Sequence, residues 1–145
     1  MEDVLLQLGT AFIGSLGFAL LFNVRRQFWF VGSLGGLLGW AIYLLGTTQT
    51  EGVFMPCLAA SAFAALYAEV LARILKAPAT IFFIPSIVPL IPGSTLYYTM
   101  SYAVQNSWEV SGSYGFLTIQ YALSIASGIS LVWAFSMMVT KILKR

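Results

Sequence analysis

The chain has 145 residues, of which 59% are hydrophobic and 8% are charged, and its formal net charge is +2. Soluble domains carry about 25% charged residues, so this composition excludes a soluble globular protein and indicates one integral membrane domain over residues 1–145. Histidine is absent and Cys57 is the one cysteine. We therefore expect no disulfide framework, metal site or cofactor within the chain, and the small net charge gives no reason to expect nucleic-acid binding.

Five apolar segments follow one another along the chain, each long enough to cross a bilayer as an α-helix. They are residues 4–24, 27–45, 53–75, 79–105 and 114–141. The connectors between them are short and polar, so we predict an all-α bundle of five membrane spans. The acidic start, MEDVLLQ, differs from the basic start of a signal peptide, and we expect the first span to be retained.

Charge placement predicts the orientation of this bundle. With five spans, all seven basic residues fall on one face, which the positive-inside rule makes cytoplasmic. They are Arg25, Arg26, Arg73, Lys76, Lys141, Lys144 and Arg145. A four-span alternative, in which the fourth segment is re-entrant, would put the last three outside. We therefore predict five spans with the N-terminus outside and the C-terminus inside.

Small residues recur at four-residue intervals in three spans, a spacing that lets helix backbones approach closely in lipid. They are Gly32 with Gly36, Gly35 with Gly39, alanines 60, 64, 68 and 72, and Ser124 with Gly128. We interpret them as packing faces, within the chain or between copies of it in a homo-oligomer.

The fourth segment carries three prolines within eight residues, Pro85, Pro89 and Pro92. Each proline lacks an amide N–H and clashes with the preceding helical turn, and the residue before it is pushed away from helical dihedrals. The residues before the prolines are Ile84, Val88 and Ile91. Irregular backbone at membrane depth is tolerated only inside protein or beside water. We predict a break between Ile84 and Gly93 that leaves half-helices over 79–91 and 93–105.

The start of the second half-helix is the candidate substrate site. Free amides at a helix start, together with the macrodipole, attract anions, and broken helices in transporters present such ends to carboxylates. The predicted substrate-binding residues are Pro92, Gly93, Ser94, Thr95, Tyr97 and Tyr98. We expect Ser94 or Thr95 to cap the helix, and Gly93 to permit a close backbone approach or a positive φ. The alternative is a proline-kinked structural helix with tyrosines at the membrane interface.

Further polar positions are candidates for a pathway or for coupling. One face of the second half-helix carries Ser94, Tyr98, Ser101, Tyr102 and Gln105 by helical spacing. Asn23 ends the first span. Glu69 is the one acid inside a span, and Arg73 follows it at i+4. An intramembrane acid suggests proton coupling, whereas the alternative is a simple i,i+4 ion pair.

Three stretches resemble the threonine/serine exporter family, specifically its short C-terminal-type module. They are GFALLFNV (17–24), EVLARILKAPATIF (69–82) and PSIVPLIPGSTLYYTM (85–100). The third places a tyrosine four positions, and a methionine seven, after the glycine of its Pro-Gly pair. These residues are Pro92, Gly93, Tyr97 and Met100.

The resemblance implies proton-driven export of small metabolites across the bacterial inner membrane, with threonine, serine or dicarboxylates such as succinate as substrates. It also implies a larger membrane partner of the same family that carries the other half of the transporter. No catalytic triad, carboxylate pair or phosphate loop is recognisable, so we expect no enzymatic activity. The alternatives are a scaffold that stabilises the partner without transporting, and a channel.

Overall fold

The computed structural model describes residues 2–143, which form six α-helices and two short 3₁₀ turns. The helices are α1 (Glu2–Leu21), α2 (Trp29–Thr47), α3 (Phe54–Leu75), α4 (Thr80–Ile87), α5 (Gly93–Val104) and α6 (Trp108–Leu143). The 3₁₀ turns are Arg26–Phe28 and Val88–Leu90. Lys144 and Arg145, which enter the predicted charge distribution, lie outside the described residues.

Within the described residues, four helices are long and apolar enough to cross a membrane, namely α1, α2 with the turn before it, α3 and α6. The short helices α4 and α5 together pass the same test, with a bend of 50° between them. The prediction of an all-α membrane bundle is therefore confirmed. The choice between four and five crossings, and the orientation, remain predictions.

The glycine face of α2 forms the centre of the bundle. Its buried members are Gly32, Gly35, Gly36 and Gly39. A Cβ on Gly36 would lie 3.1 Å from the Pro85 carbonyl oxygen of α4 and would overlap the Ser15 side chain of α1. A Cβ on Gly35 would approach the Tyr67 ring of α3 to 2.7 Å. Three helices thus touch α2 where it has no side chains, which confirms the packing role predicted for this spacing.

The helices α3 and α6 meet along a second small-residue face. Ser61 is buried on α3, and Ser124 and Gly128 are buried on α6. Alanines 60, 64 and 68 of α3 are buried in the core that α3 shares with α2 and α4. A Cβ on Gly128 would lie 2.7 Å from the Leu58 carbonyl oxygen of α3. Ser61 of α3 donates a 3.4 Å hydrogen bond to the Ser124 carbonyl. The two backbones therefore touch directly.

The proline segment breaks within the predicted interval, but later than the pre-proline rule suggests. Ile84 and Pro85 both lie within α4, and Val88 keeps helical dihedrals of φ −51° and ψ −45°. The expectation that Ile84 and Val88 leave helical dihedrals is therefore wrong. Ile91 does become extended, with φ −65° and ψ 125°, so the chain leaves the helical path at Ile91–Pro92.

Contacts with α2 explain why the helix tolerates Pro85. Pro85 and Pro89 supply no amide donors to the carbonyls of Ile81 and Pro85. Both oxygens face the glycine backbone of α2. The Ile81 oxygen lies 3.7 Å from where a Cβ on Gly32 would be, and the Pro85 oxygen lies 3.1 Å from where a Cβ on Gly36 would be. The two carbonyls without amide donors therefore lie against α2, and the helical path continues to Leu90.

Several of the basic residues lie at one end of the bundle. Arg25 and Lys76 line one cavity between the ends of α1 and α3. Arg73 donates a hydrogen bond to Ser136 near the end of α6, and Lys141 lies further along that helix. We call this the basic end.

Candidate functional site

The start of α5 carries backbone donors without acceptors. The Gly93 amide donates to the Ile91 carbonyl at 2.8 Å, and the Leu96 amide donates to the Pro92 carbonyl at 3.2 Å. The amides of Ser94 and Thr95, between them, have no backbone acceptor in the described part of the chain. Gly93 and Ser94 are exposed and Thr95 is half-buried. Two backbone donors are therefore available to a ligand at this helix start.

Neither predicted cap is formed. The N-cap is Pro92, which has no side-chain acceptor, and Ser94 and Thr95 are the second and third residues of the helix. The Thr95 side chain bonds elsewhere. Its hydroxyl donates to the Pro92 carbonyl at 3.1 Å and accepts a hydrogen bond of 3.0 Å from Thr118 of α6. The prediction that Ser94 or Thr95 caps the helix is therefore wrong, and the first amides stay open. Thr118 was not identified from the sequence, since its partner is 23 residues away and on another helix.

Gly93 has a simpler role than the sequence suggests. A Cβ at this position would meet nothing within 4 Å, and its φ is not positive. The expectation that Gly93 serves a close approach within the chain or a positive φ is therefore wrong. The space beside Gly93 is open within the described residues.

The tyrosines of α5 divide into two groups. Tyr98 and Tyr102 pack on Tyr114 of α6, with ring centroids 5.3 and 5.7 Å from its ring. Tyr97 is 66% exposed on the other side of the helix, although its ring still contacts Tyr98 at 5.5 Å. Tyr97 is thus more exposed than Tyr98, the other tyrosine of the predicted substrate site.

The predicted polar face continues along α5 as an open groove. Gln105 donates a 3.1 Å hydrogen bond to Ser101. Both residues line a groove of about 350 Å³ together with Tyr97, Met100 and Val104. The structure therefore places Ser101, Gln105 and Tyr97 on one surface, while Tyr98 and Tyr102 turn toward α6.

Glu69 and Arg73 form the predicted i,i+4 ion pair, with an N–O distance of 2.9 Å. Ser136 of α6 donates a hydrogen bond to the Glu69 carboxylate and accepts one of 3.0 Å from Arg73. The Glu69 side chain is 25% exposed and that of Arg73 is 54% exposed. A cavity of about 160 Å³ with mainly apolar walls adjoins the three residues. Sequence spacing could not identify Ser136, which lies 67 positions from Glu69.

Asn23 lies apart from both groups, at the end of α1. Its φ of 52° places it in the left-handed region, and it lines a cavity of about 510 Å³ at the basic end. The predicted residues therefore occupy three places: the start and groove of α5, the α3–α6 contact, and the end of α1.

One polar group that the sequence did not single out lies beneath the proline break. The Trp40 ring N–H is buried and has no hydrogen-bond partner in the described part of the chain. Trp40 lines a cavity of about 230 Å³ with Gln7, Thr10 and Pro89.

Comparison with known protein families gives one match. A family model described as "Threonine/Serine exporter, ThrE" matches residues 7–135. Comparisons with curated proteins and with solved structures gave no match. The family match covers all six helices in whole or in part, including the start of α5 and the pair of Glu69 and Arg73, and it ends one residue before Ser136.

Proposed function

The chain belongs to the threonine/serine exporter family, and from this premise we propose that it is one subunit of a proton-driven secondary exporter of small carboxylate-bearing metabolites. Threonine, serine and dicarboxylates such as succinate are the candidate substrates. The chain acts with a larger membrane partner of the same family, in the inner membrane of a bacterium. The family and the apolar helices support a multi-pass membrane transporter. The geometry of α5 supports a carboxylate-bearing solute.

The observation that carries the proposal is the open helix start at Ser94 and Thr95. Each free backbone donor costs several kcal/mol in hydrocarbon, so lipid cannot be what surrounds these amides. Within the described residues α5 packs on α6, while α4 packs against α1, α2 and α3. The exposed side of α5 therefore requires a water-filled pathway, a protein partner, or a pathway between the two proteins. A subunit of an exporter meets this requirement, because its exposed helix can face a pathway, a partner or both.

The position of the helix start suits a substrate site. The hydrogen bond between Thr95 and Thr118 sets the start of α5 beside a point ten residues into α6, about 15 Å from the first residue of that helix. The two free amides and the positive end of the α5 macrodipole stabilise a carboxylate there. Tyr97, exposed beside them, is available to orient the rest of the solute.

Contact directions favour five crossings. Thr95 pairs with Thr118, and Thr99 accepts a hydrogen bond from Ser111, so α5 runs antiparallel to α6. Since α6 runs toward the basic end, α5 runs away from it. The helix α4 begins beside the basic-end cavity, so the pair resembles a single broken crossing more than a re-entrant loop. With the basic end cytoplasmic, the C-terminus lies inside.

The Glu69 cluster is the candidate coupling group. A carboxylate held by both a cation and a hydroxyl can exchange a proton if the cation moves, and Arg73, which is more exposed than Glu69, has room to do so. Protonation of the Glu69 carboxylate would weaken the hydrogen bonds that it accepts from Arg73 and from Ser136 of α6, and so would change the contact between α3 and α6. Coupling therefore requires that protonation of Glu69 and the packing of α6 change together.

Transport in proteoliposomes tests the proposal. The chain and its larger family partner would each be reconstituted alone and then together, and efflux of labelled threonine, serine and succinate would be followed under an imposed proton gradient. We expect efflux of at least one solute only when both proteins are present. Full efflux by the partner alone would show that the chain is a scaffold, and efflux that ignores the gradient would indicate a channel.

A further inference from the structure

A cavity at the basic end is separate from the α5 groove and from the Glu69 cluster. Its volume is about 510 Å³, within the range typical of small-molecule sites. Apolar residues, including Val24, Phe28 and Ile81, form one part of its wall, and Asn23, Arg25 and Lys76 form another. Val24 and Phe28 are buried, whereas the three polar residues are exposed. The cavity thus has an apolar floor and a cationic rim.

The cationic side chains are not needed to satisfy the helix ends beside them. At the end of α1, the Val24 amide donates to the Ala19 carbonyl at 3.0 Å. At the end of α3, the Ala77 amide donates to the Ala72 carbonyl at 3.1 Å. Both ends are thus closed by backbone bonds of the Schellman type. Arg25 and Lys76 are therefore not required as hydrogen-bond donors to these carbonyls.

Lys76 occupies a position where glycine is the usual residue. Its φ is 50° and its ψ is 46°, in the left-handed region. Helices that end this way usually place glycine there, because any side chain strains the backbone. A lysine at this point carries a strain that glycine would remove, and in return it puts an ammonium group on the rim. Asn23 holds the equivalent position after α1, with φ 52°.

The charge at the rim is not neutralised by the described residues. No carboxylate lines the cavity, and Arg25 and Lys76 form no ion pair within residues 2–143. The positive start of α4 lies on the same side, since Pro78 and Ile81 also line the cavity. The ends of α1 and α3, where the macrodipoles are negative, border the same space, so its positive character comes from the two side chains and from the start of α4.

We infer that this cavity is an anion-binding site, in which Arg25 and Lys76 hold an oxyanion and the apolar floor receives the carbon skeleton attached to it. Two sources supply that chemistry: a soluble organic anion at the cytoplasmic face, and the headgroup of an anionic lipid, which basic pockets between membrane helices also bind. The site is independent of whether the α5 groove transports, because it is defined by binding alone.

Binding to the purified full chain tests the inference. The chain would be held in neutral detergent at low salt, and its thermal stabilisation would be titrated with succinate and inorganic phosphate as the soluble arm, and with phosphatidylglycerol as the lipid arm. A ligand that binds the folded state raises the apparent Tm as its concentration passes the Kd. Saturation by the soluble anions, by the lipid, or by both supports the site and identifies the source of the anion.

Three variants separate this site from general surface charge. Arg25→Gln and Lys76→Asn each remove a rim cation, and asparagine suits the left-handed conformation at position 76. Arg26→Gln is the matched control, because it removes the same charge next to the cavity while Arg26 itself contacts Trp29 and does not line the cavity.

We expect Arg25→Gln and Lys76→Asn each to weaken binding by roughly tenfold or more, as expected for loss of a charged hydrogen bond, and Arg26→Gln to weaken it by less than about threefold. The neutral diamide of succinate should not bind. Absence of saturable binding to the unmodified chain, or equal weakening by Arg26→Gln, would overturn the inference. Gel filtration and circular dichroism confirm folding, and Arg25→Gln stands as the decisive variant if Lys76→Asn fails to fold.

Discussion

Replacing Ser94 with proline deletes one of the two free amides of α5 without breaking the helix. Proline is tolerated in the first turn of a helix, because the N–H that it lacks has no intrahelical partner there. Ser94 is the second residue of α5, after Gly93. The same chain already keeps Ile84 and Val88 helical before proline, so the conformation that Gly93 must adopt is accessible. The matched control is Ser94→Ala, which removes the hydroxyl and keeps the amide.

The magnitude follows from the bond that is lost. A hydrogen bond to a charged group contributes about 1.5–3 kcal/mol, and about 1.4 kcal/mol corresponds to a tenfold change in affinity. Ser94→Pro should therefore weaken the apparent affinity for the exported acid by roughly 10- to 150-fold. The Ser94 hydroxyl does not cap α5, so Ser94→Ala should change affinity by less than about threefold.

The assay is concentration-dependent efflux from proteoliposomes that contain the chain and its partner, normalised to the amount of reconstituted protein. Circular dichroism and gel filtration check that each variant folds. If Ser94→Pro exports with unchanged apparent affinity, the free amide does not bind substrate. If both variants lose affinity equally, the hydroxyl is the ligand and the backbone argument is wrong.

Three further predictions follow from the packing, the coupling group and the orientation. Gly128→Ala should destabilise the fold by about 1–3 kcal/mol relative to the control Gly112→Ala. The Cβ at position 128 would lie 2.7 Å from a carbonyl oxygen of α3, whereas the Cβ at position 112 would meet nothing within 4 Å. Equal unfolding free energies of the two variants in detergent would contradict this. Glu69→Gln should keep assembly with the partner but abolish gradient-driven efflux, and recovery of that efflux in a double apolar replacement of Glu69 and Arg73 would show that the pair is only structural. A cysteine at position Lys141, in a cysteine-free background, should resist membrane-impermeant reagents added outside the cell, and rapid labelling would exclude the predicted orientation.

Much of the fold is predictable because lipid imposes simple rules. The length of the apolar segments predicts α1, α2, α3 and α6, and the four-residue spacing of small residues predicts the faces at which they touch. The proline segment is the instructive exception. The backbone rules for proline are local, but Pro85 is tolerated because its partner helix presents Gly32 and Gly36 to the freed carbonyls. A single sequence does not reveal which helix lies opposite, so the position of the break could be bounded but not fixed.

The candidate site divides in the same way. Residues close in sequence, such as Glu69 and Arg73, were identified as a pair because helical spacing brings them together. Their partner Ser136, and the Thr118 hydroxyl that holds Thr95, come from α6 and carry no sequence signal of their own. Residue type predicts capping by Ser94 or Thr95, yet α5 begins at Gly93 with Pro92 as its N-cap, so both residues lie inside the first turn. Long-range contacts and the residue at which the helix begins are therefore what the sequence leaves undetermined.

Competition by uncharged analogues tests the central claim, that the start of α5 holds the carboxylate of the exported solute. The amide or ester of a transported acid keeps nearly the same size but loses the anion that the free amides and the macrodipole stabilise. In proteoliposomes that export the parent acid, we expect the amide and the ester to compete poorly at concentrations where unlabelled parent acid competes fully. Equal competition by the charged and uncharged compounds would contradict the anion site and would make the proline segment a structural kink.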